Sequence, residues 1–334
     1  MVFLGIETSC DETGVSVVTH KPGEPFSMQD ILSNIVSSQY IHSQLGGVIP
    51  ELASRAHIQL LSPITKTALA VAKKTFNDLD GIAVTYGPGL VGALLVGLSF
   101  AKALSINLKI PFVGINHLEG HIFSLFLSCP ELKPPFISLI ISGGHTELIL
   151  VKDYCQYKTL GSTQDDACGE AYDKVARMLN LPYPGGAFIE KLAYNGSRTI
   201  KFPIPHVPGY NFSFSGLKTA VLYYLKDTKD YRAEDVACSF QETVIDFLWE
   251  KIKKVTNDYK INQVGVSGGV AINKRIRSRL SEYGKIYGIK FYFPQPVMCS
   301  DNGAMIAACG IERYIRFGAS NLSLTVQARI PTIL

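Results

Sequence analysis

Short apolar runs recur along the whole chain, and most of them end in a glycine-rich or polar turn. Runs of this kind are typical of β-strands, whereas helices need longer segments with a different period. The pattern predicts strands at residues 2–6, 14–18, 82–85, 112–115, 136–141, 146–151 and 263–266.

Longer segments between these strands repeat their apolar residues with the period of an α-helix. The clearest example is 234–255, where the apolar residues fall on one helical face. Helices are also predicted at 50–74, 90–103 and 165–179, from 270 onward, and at 301–315. Strands that alternate with helices indicate an α/β fold, which binds its ligands at the strand ends.

A strand–turn–strand unit occurs twice in the chain. The first copy spans 2–18 around a turn rich in side-chain oxygen, and the second spans 136–151 around Ser142-Gly143-Gly144-His145. Two copies of one architecture predict two domains of one kind that face each other across a cleft. Pro134-Pro135 is the best candidate for the boundary between them.

The stretch from Gly81 to Ala101 contains no charged residue, which raises the question of a membrane span. Gly87-Pro88-Gly89 interrupts it and leaves an apolar helix over 90–103. A helix needs roughly 20 residues to cross a bilayer. The stretch is therefore interpreted as a strand, a turn and a buried helix.

Composition describes a well-packed globular protein, with 47% hydrophobic and 18% charged residues. The net charge of +4 permits an RNA or nucleotide partner without requiring one, because no dense basic run exists. Lys251, Lys253 and Lys254 are candidates for RNA contact, and the alternative is a solvated helix face.

Cysteine usage and the first residues indicate a cytoplasmic protein. The seven cysteines are odd in number and form no Cys-x-x-Cys pair, which favours a reducing compartment. Glu7, Asp11 and Glu12 follow the first strand, so the start of the chain does not read as a signal peptide.

His117 and His121 are the most informative residues of the sequence. Residues four apart lie one turn apart on one face of a helix, so these imidazoles could bind one divalent metal. Asp301 is the carboxylate chosen to complete the site, and a helix N-cap is its alternative role. Glu119 lies about 100° away from the position that the general base occupies in the His-Glu-x-x-His helix of a metalloprotease. Ordinary hydrogen bonds at a helix start are the other explanation for the pair.

Four glycine turns follow apolar strands and could hold a nucleotide. They lie at 87–89, 142–145, 184–186 and 267–269, and none is a Walker or a dinucleotide-binding loop. Asn273 is expected on the first turn of the helix after the last of them, within reach of a ligand. Asp173 could accept hydrogen bonds from ribose hydroxyls, or lie on a solvated helix face. Asp165 and Asp166 are predicted in the first turn of their helix, where they favour the helix dipole.

These motifs together resemble the tRNA threonylcarbamoyladenosine transferases, the TsaD family, of the actin/Hsp70/sugar-kinase fold class. The form of the histidine motif resembles the bacterial and mitochondrial branch. The resemblance covers nearly the whole chain, through matching runs at 5–13, 46–51, 85–90, 117–121, 142–146, 169–174, 212–219 and 268–271.

The resemblance implies a fold of two actin-like, RNase H-like domains facing across a nucleotide-binding cleft. The first would span 1–130 and be completed by a C-terminal helix at 301–334, and the second would span 131–300. It also implies a reaction in which threonylcarbamoyl-AMP, made by a separate synthase, donates its acyl group to tRNA. The acceptor is N6 of the adenosine 3′ of the anticodon in tRNAs that read codons beginning with A, and AMP is released.

The resemblance assigns roles to residues and implies partners. His117, His121 and Asp301 would bind one divalent metal, iron by resemblance, with zinc or magnesium as alternatives. Asp11 and Glu12 would be catalytic and position the threonyl part or the metal. Bacterial relatives work with an inactive same-fold paralogue and a P-loop ATPase, whereas mitochondrial ones are homodimers. The adenylate would be bound by Ile140, Ile141, Ser142, Gly143, Gly144, Asp173, Gly186, Glu190 and Asn273.

The sequence departs from the family pattern at two positions, and three other functions can be weighed against it. Position 190 is Glu where many relatives carry Asp, and Gly303 replaces a usual Ala at a helix cost of about 1 kcal/mol. The sequence lacks the general base that a metalloprotease would require. It also contains a His-x-x-x-His pair, which a small-molecule kinase would not need. The retained metal residues and glycine turns speak against an inactive scaffold.

Overall fold

The predicted strands form two five-stranded sheets in the computed structural model, which describes residues 1–39, 41–42 and 46–330. The chain divides into two units. Unit 1 consists of Met1–Lys133, Asp153–Gln156 and Pro294–Leu334. Unit 2 consists of Pro134–Lys152 and Tyr157–Phe293.

The strands follow the apolar runs. They are β1 (Val2–Glu7), β2 (Glu12–Thr19), β3 (Ile31–Ser38), β4 (Gly81–Gly87), β5 (Phe112–Asn116), β6 (Phe136–Ile141), β7 (Thr146–Asp153), β8 (Gln156–Ser162), β9 (Gln263–Ser267) and β10 (Lys290–Tyr292).

The helices lie between the strands and after the last of them. They are α1 (Pro50–Val71), α2 (Val91–Leu108), α3 (His117–Ser128), α4 (Cys168–Met178), α5 (Gly185–Ala193), α6 (Ser215–Asp227), α7 (Ala233–Tyr259), α8 (Lys274–Tyr287) and α9 (Gly303–Phe317).

The sheet of unit 1 has the order β3-β2-β1-β4-β5. Its strand β1 is antiparallel to β2 and parallel to β4, and β4 is parallel to β5. The sheet of unit 2 has the order β10-β9-β6-β7-β8, with β6 antiparallel to β7 and parallel to β9. In each unit the central strand therefore begins a hairpin and also carries a parallel neighbour, which is the repeat that the sequence predicts.

Side chains of β1 alternate between two helical layers of unit 1, as the period of a strand requires. Leu4 and Ile6 join the core that contains residues of α1 and α2, among them Leu61 and Leu98. Gly5 faces the other layer, where an ideal Cβ would lie 2.0 Å from the carbonyl oxygen of Gly303 at the start of α9. Glu7 lies two residues after Gly5 and therefore on the same face of the strand, so its carboxylate points toward the side of α9.

The close approach of β1 and α9 explains both glycines at this crossing. A Cβ built on Gly303 would lie 2.6 Å from the carbonyl oxygen of Gly5 and 2.6 Å from the amide nitrogen of Ser16. Real Cβ atoms do not approach backbone so closely, because packed interiors leave no room for an added methyl group. Glycine at 303 therefore lowers helix propensity but permits this contact.

Several element boundaries differ from the prediction. The helix predicted at 165–179 begins at Cys168, and the C-terminal helix predicted at 301–334 is only Gly303–Phe317. Residues 318–330 form turns and irregular backbone, and 331–334 lie outside the described residues. The elements that the pattern missed are mostly short or polar: β3, β8, β10, α5 and α6.

Helix α2 corrects the prediction of a short buried helix at 90–103. It runs to Leu108, has a mean hydropathy of 1.7 over 18 residues, and only a third of it is buried. Among the described residues it is the one helix long and apolar enough to cross a membrane, a test that core helices of soluble proteins also pass. Its exposed apolar side chains include Val91, Leu95 and Ile106.

Candidate metal centre and glycine-rich site

The two histidines occupy the first and second turns of α3. Strand β5 ends at Asn116, whose side chain caps the helix by accepting a hydrogen bond from the amide of Leu118 at 2.8 Å. No residue separates strand from helix, so His117 is the first helical residue. The rings of His117 and His121 lie 4.7 Å apart between centroids, which confirms that the pair shares one face.

Asp301 faces both imidazoles. Its Oδ1 lies 3.5 Å from Nε2 of His117 and 3.3 Å from Nε2 of His121. The N-cap of α9 is Asn302, which accepts from the amide of Met305, so the alternative role of Asp301 as a helix cap is wrong. One ligand atom from each of the three residues lies within 4.8 Å of the others.

Glu7 holds the far side of the His117 ring. Its Oε2 lies 3.0 Å from Nδ1 of His117, and it accepts further hydrogen bonds from the hydroxyl of Thr85 and the amide of Ser9. Although burial opposes it, His117 lowers the pKa of Glu7, which keeps the carboxylate ionised. A carboxylate on Nδ1 fixes the tautomer and leaves Nε2 for a metal, as in many carboxylate–histidine–metal sites.

The donor set fits a divalent metal. His121 is fully buried, and neither of its ring nitrogens has a hydrogen-bond partner among the residues that the structure describes. A buried polar atom without a partner is costly, and a bound cation would satisfy Nε2. Two imidazoles and a carboxylate, one imidazole being supported by a second carboxylate, form a site suited to such an ion.

Asp11 lies in the turn between β1 and β2 and Glu12 is the first residue of β2, and both are near the same centre. Burial, followed by the negative charges of Asp301 and Asp11, raises the pKa of Glu12 to about 9. The pKa of His117 is raised to about 9 although burial opposes it, because Asp301 and Glu7 favour the charged ring. Unit 1 thus concentrates negative charge around His117, an environment that favours a cation.

Glu119 faces away from the metal residues and is engaged by α9. Its two oxygens lie 3.1 and 3.0 Å from Nη1 of Arg313, and its side chain is buried. The carboxylate is therefore not available as a general base beside the histidines. Instead, the ion pair joins α3 to the helix that follows Asp301.

The glycine-rich residues of unit 2 converge at the ends of β6 and β9. The amide of Gly169 donates to the carbonyl of Ser142, and a Cβ on Gly169 would lie 2.8 Å from the Cα of Gly143. Gly268 has φ of +92°, and its Cβ would lie 2.4 Å from the carbonyl oxygen of Ile141. The 142–145 turn, the start of α4 and the turn after β9 are therefore packed against one another.

Three of the four predicted polar adenylate residues, Asp173, Glu190 and Asn273, are bonded to a helix N-terminus. Asp173 accepts from the amide of Gly185 at 2.7 Å, and Glu190 accepts from the amide of Lys274 at 2.6 Å. Asn273 is the N-cap of α8 rather than a first-turn residue, and it also donates to Gln241 at 2.8 Å. These bonds join α4, α5 and α8 around the glycine turns.

Four glycines at this place leave open space. An added Cβ would meet nothing within 4 Å at Gly143, Gly144, Gly186 or Gly269. Open glycine backbone beside helix N-termini offers N–H groups to an anion such as a phosphate. All nine predicted adenylate residues lie in this part of unit 2, and their binding roles stay a prediction.

Two predictions about charged residues are wrong. Asp165 and Asp166 precede α4 rather than beginning it; Asp165 accepts from the amides of Phe214 and Ser215 at the start of α6, and Asp166 binds two lysines. Lys251 is buried and donates to the carbonyl of Val207 at 2.6 Å, so it is not available to RNA. Its ammonium group donates hydrogen bonds to backbone carbonyls instead of to water.

Sequence reasoning assigned no role to Glu7, Gln241 or Arg313. The sequence does contain a signal for Glu7. It is a carboxylate at the end of an apolar strand, on the same face of the strand as Gly5. Gln241 lies inside a long amphipathic helix, and Arg313 lies twelve residues beyond the metal aspartate. For these two, only the tertiary contact identifies the role.

Solved structures of low sequence identity share the fold. The chain aligns with full-length HypF at a TM-score of 0.64 and 14% identity, covering 96% of this chain and 56% of that one. It aligns with the (R)-2-hydroxyglutaryl-CoA dehydratase component A of Acidaminococcus fermentans at 0.58 and 13%, covering 94% and 99%. The chain spans about half the length of HypF. With its two five-stranded mixed sheets, it is a two-domain actin-like α/β protein, as predicted.

Within that class the family is established by sequence. The chain matches the TsaD family, tRNA N6-adenosine threonylcarbamoyltransferase, over residues 30–308. A relative of that name in Caldicellulosiruptor saccharolyticus is 49% identical over 329 residues, 97% of this chain and 96% of the relative. Another in Thermosipho melanesiensis is 50% identical over 328 residues, 97% and 98%. The chain belongs to the TsaD family, which confirms the resemblance and disfavours the kinase and protease readings.

Replacing Glu7 tests the support of His117. We expect Glu7→Gln to weaken metal affinity by about 10- to 100-fold, because the amide no longer fixes the ring tautomer with a negative charge. Titration of the apoprotein with Zn²⁺ against a coloured chelator measures this without an activity assay.

Glu242→Gln is the matched control, since Glu242 is also buried but binds Arg275 in unit 2. Equal metal affinity in Glu7→Gln and wild type would contradict the assignment of Glu7.

Proposed function

We propose that this chain transfers the threonylcarbamoyl group of threonylcarbamoyl-AMP to N6 of the adenosine 3′ of the anticodon in tRNAs that read codons beginning with A. A C–N bond forms at the carbamoyl carbon, its bond to the phosphate oxygen breaks, N6 loses a proton and AMP leaves. The observation that carries the proposal is the His117–His121–Asp301 cluster in a member of the TsaD family.

The metal would be held by His117, His121 and Asp301, with Glu7 fixing the first of them. When bound, it would supply a Lewis acid for a carbonyl that a weak amine nucleophile must attack. Two imidazoles with one carboxylate are typical of iron(II) sites and of catalytic zinc sites, whereas magnesium prefers oxygen ligands. Of these metals we propose iron. No serine or cysteine nucleophile is required if the transfer is direct.

The residues of unit 2 would bind the adenylate. Amides at Gly143, Gly144 and Gly186 suit the phosphate that leaves as AMP. Asp173, Glu190 and Asn273 would meet the nucleoside, while Ile140, Ile141 and Ser142 form the edge of the site. Glu190 is longer than the aspartate of many relatives and already reaches the amide of Lys274.

Asp11 and Glu12 are the proposed catalytic carboxylates of unit 1. Adenosine N6 must lose a proton as the new bond forms, and the carboxylate of Asp11 would take it. Glu12, whose pKa is raised to about 9, would instead orient the threonyl part as a protonated acid. Negative charge gathered around His117 supports their position beside the metal residues. We also propose that the two units correspond to the predicted domains at 1–130 with 301–334 and at 131–300.

The transfer is tested with labelled threonine, ATP, the adenylate-forming synthase, bacterial partner proteins and unmodified tRNA. We expect wild type to label the anticodon adenosine, and His117→Ala and Asp301→Ala to lose at least about 100-fold in rate, because the Lewis acid is worth several kcal/mol. Metal-free protein should regain activity best with Fe²⁺.

His206→Ala, an exposed histidine of unit 2, is the control and should remain active. Absence of labelling by wild type with all partners present would refute the transferase. Full activity in both metal-site variants would refute the site.

We propose further that the chain works in the cytoplasm with a same-fold paralogue and a P-loop ATPase, since the relatives from Caldicellulosiruptor and Thermosipho are bacterial. The paralogue would dock on the apolar face of α1 and α2. Exposed Ile58 and Leu95 line a groove of about 470 Å³ there, and Val91 and Ile106 extend the apolar surface along α2. Exposed apolar patches of this kind mark interaction sites.

A partner that docks at this face would also stabilise the segment that contains Asp11 and Glu12. Buried His57 of α1 bonds Thr13 at 2.8 Å and the carbonyl of Cys10 at 2.9 Å. From α2, the carbonyl of Ala93 accepts from Thr8 at 3.0 Å. A partner that fixes α1 and α2 would therefore also fix both ends of this segment.

Charge placed on the groove tests the docking face. We expect Leu95→Asp to weaken binding of the bacterial paralogue at least tenfold, because an interface would have to bury the carboxylate. Isothermal titration with purified paralogue measures the affinity.

Ile286→Asp is the control, since Ile286 is also an exposed apolar residue, on α8 of unit 2. A homodimer that forms through this face and excludes the paralogue, or unchanged affinity in Leu95→Asp, would contradict the proposal.

A further inference from the structure

Helix α5 begins in the glycine-rich site and presents an unusual surface. Its first residue donates to Asp173, and Glu190 bonds the start of α8, so one side of the helix is fixed within unit 2. The other side exposes two aromatic rings. Phe188 is 38% exposed and Tyr194, which continues the helix as its C-cap, is 89% exposed.

A lysine lies between the two rings. Phe188, Lys191 and Tyr194 are spaced by three residues each, so neighbours in this series are adjacent on the helix surface. Lys191 is exposed and forms no ion pair with any residue that the structure describes. We call these three residues the α5 stripe. A ring with 89% of its surface in water contributes little to folding and is available to a ligand.

Charge is distributed unevenly between the two units. Unit 2 carries 21 lysines and arginines against 15 aspartates and glutamates, whereas unit 1 carries 11 against 13. The net charge is therefore +6 for unit 2 and −2 for unit 1. A polyanion is attracted to unit 2, which is the unit that bears the α5 stripe.

We propose that the α5 stripe binds the anticodon loop of the substrate tRNA, with Tyr194 and Phe188 stacking on unpaired bases and Lys191 contacting a backbone phosphate. This inference rests on the proposed transfer to tRNA. Proteins recognise single-stranded loops by stacking bases on aromatic side chains, with cations on the phosphates. The stripe rises from Gly186 along α5 over about 12 Å, a reach of a few nucleotides.

Binding of tRNA, measured apart from transfer, tests the stripe. We use the full chain with its paralogue and ATPase, no adenylate, and fluorescence anisotropy of an unmodified tRNA transcript. Tyr194→Ala should raise Kd about tenfold, because a base–aromatic stack is lost, while Tyr194→Trp should retain wild-type affinity. Lys191→Ala should reduce the slope of log Kd against log salt by about 0.7, the loss of one phosphate contact to a single strand.

Tyr223→Ala is the matched control, because Tyr223 is 59% exposed on α6 of the same unit. Unchanged Kd in Tyr194→Ala and unchanged salt slope in Lys191→Ala would overturn the proposal. So would a loss of paralogue binding with tRNA affinity intact, which would make the stripe a protein interface. If wild type binds tRNA through the stripe yet transfers nothing, the stripe stands and the proposed function fails.

Discussion

The contact of two backbones, at Gly5 in β1 and Gly303 at the start of α9, is the constraint on which the metal centre depends. Because neither residue has a side chain, the strand and the helix approach more closely than any Cβ would allow. Two residues after Gly5 comes Glu7, and two residues before Gly303 comes Asp301. The contact therefore brings to one place the carboxylate that orients His117 and the carboxylate that faces both histidines.

Helix α3 is held against this crossing from two sides. His117 and His121 face Asp301, while Glu119, on the other side of the helix, pairs with Arg313. Both attachments are to one continuous segment that begins at Asp301 and runs through α9. Removing one partner of a buried ion pair leaves a charge uncompensated, which typically costs about 3–5 kcal/mol. Glu119, which by its spacing does not occupy the position of a protease base, anchors the metal-bearing helix instead.

The sequence predicts those parts of the structure that depend on local pattern. The strand at 2–6, the repeat at 136–151 and the shared face of the histidine pair all follow from apolar period and helix geometry. Spacing alone could not decide whether Asp301 is a metal ligand or a helix cap. The structure shows that its neighbour Asn302 is the cap. The roles of Arg313 and Lys251 could not be predicted, because each depends on a contact with a distant segment of the same unit. Asp165 was misplaced for a similar reason: it serves α6, some fifty residues away.

The metal centre requires that His117, His121 and Asp301 bind one metal ion, with His117 coordinating through Nε2. Crystals of the chain loaded with Fe²⁺ without air, measured at the iron absorption edge, test it directly. We expect one strong anomalous peak within bonding distance of both Nε2 atoms and an oxygen of Asp301, with Nδ1 of His117 still bonded to Glu7. A peak at other residues, or none at these three despite stoichiometric iron in the protein, would contradict it.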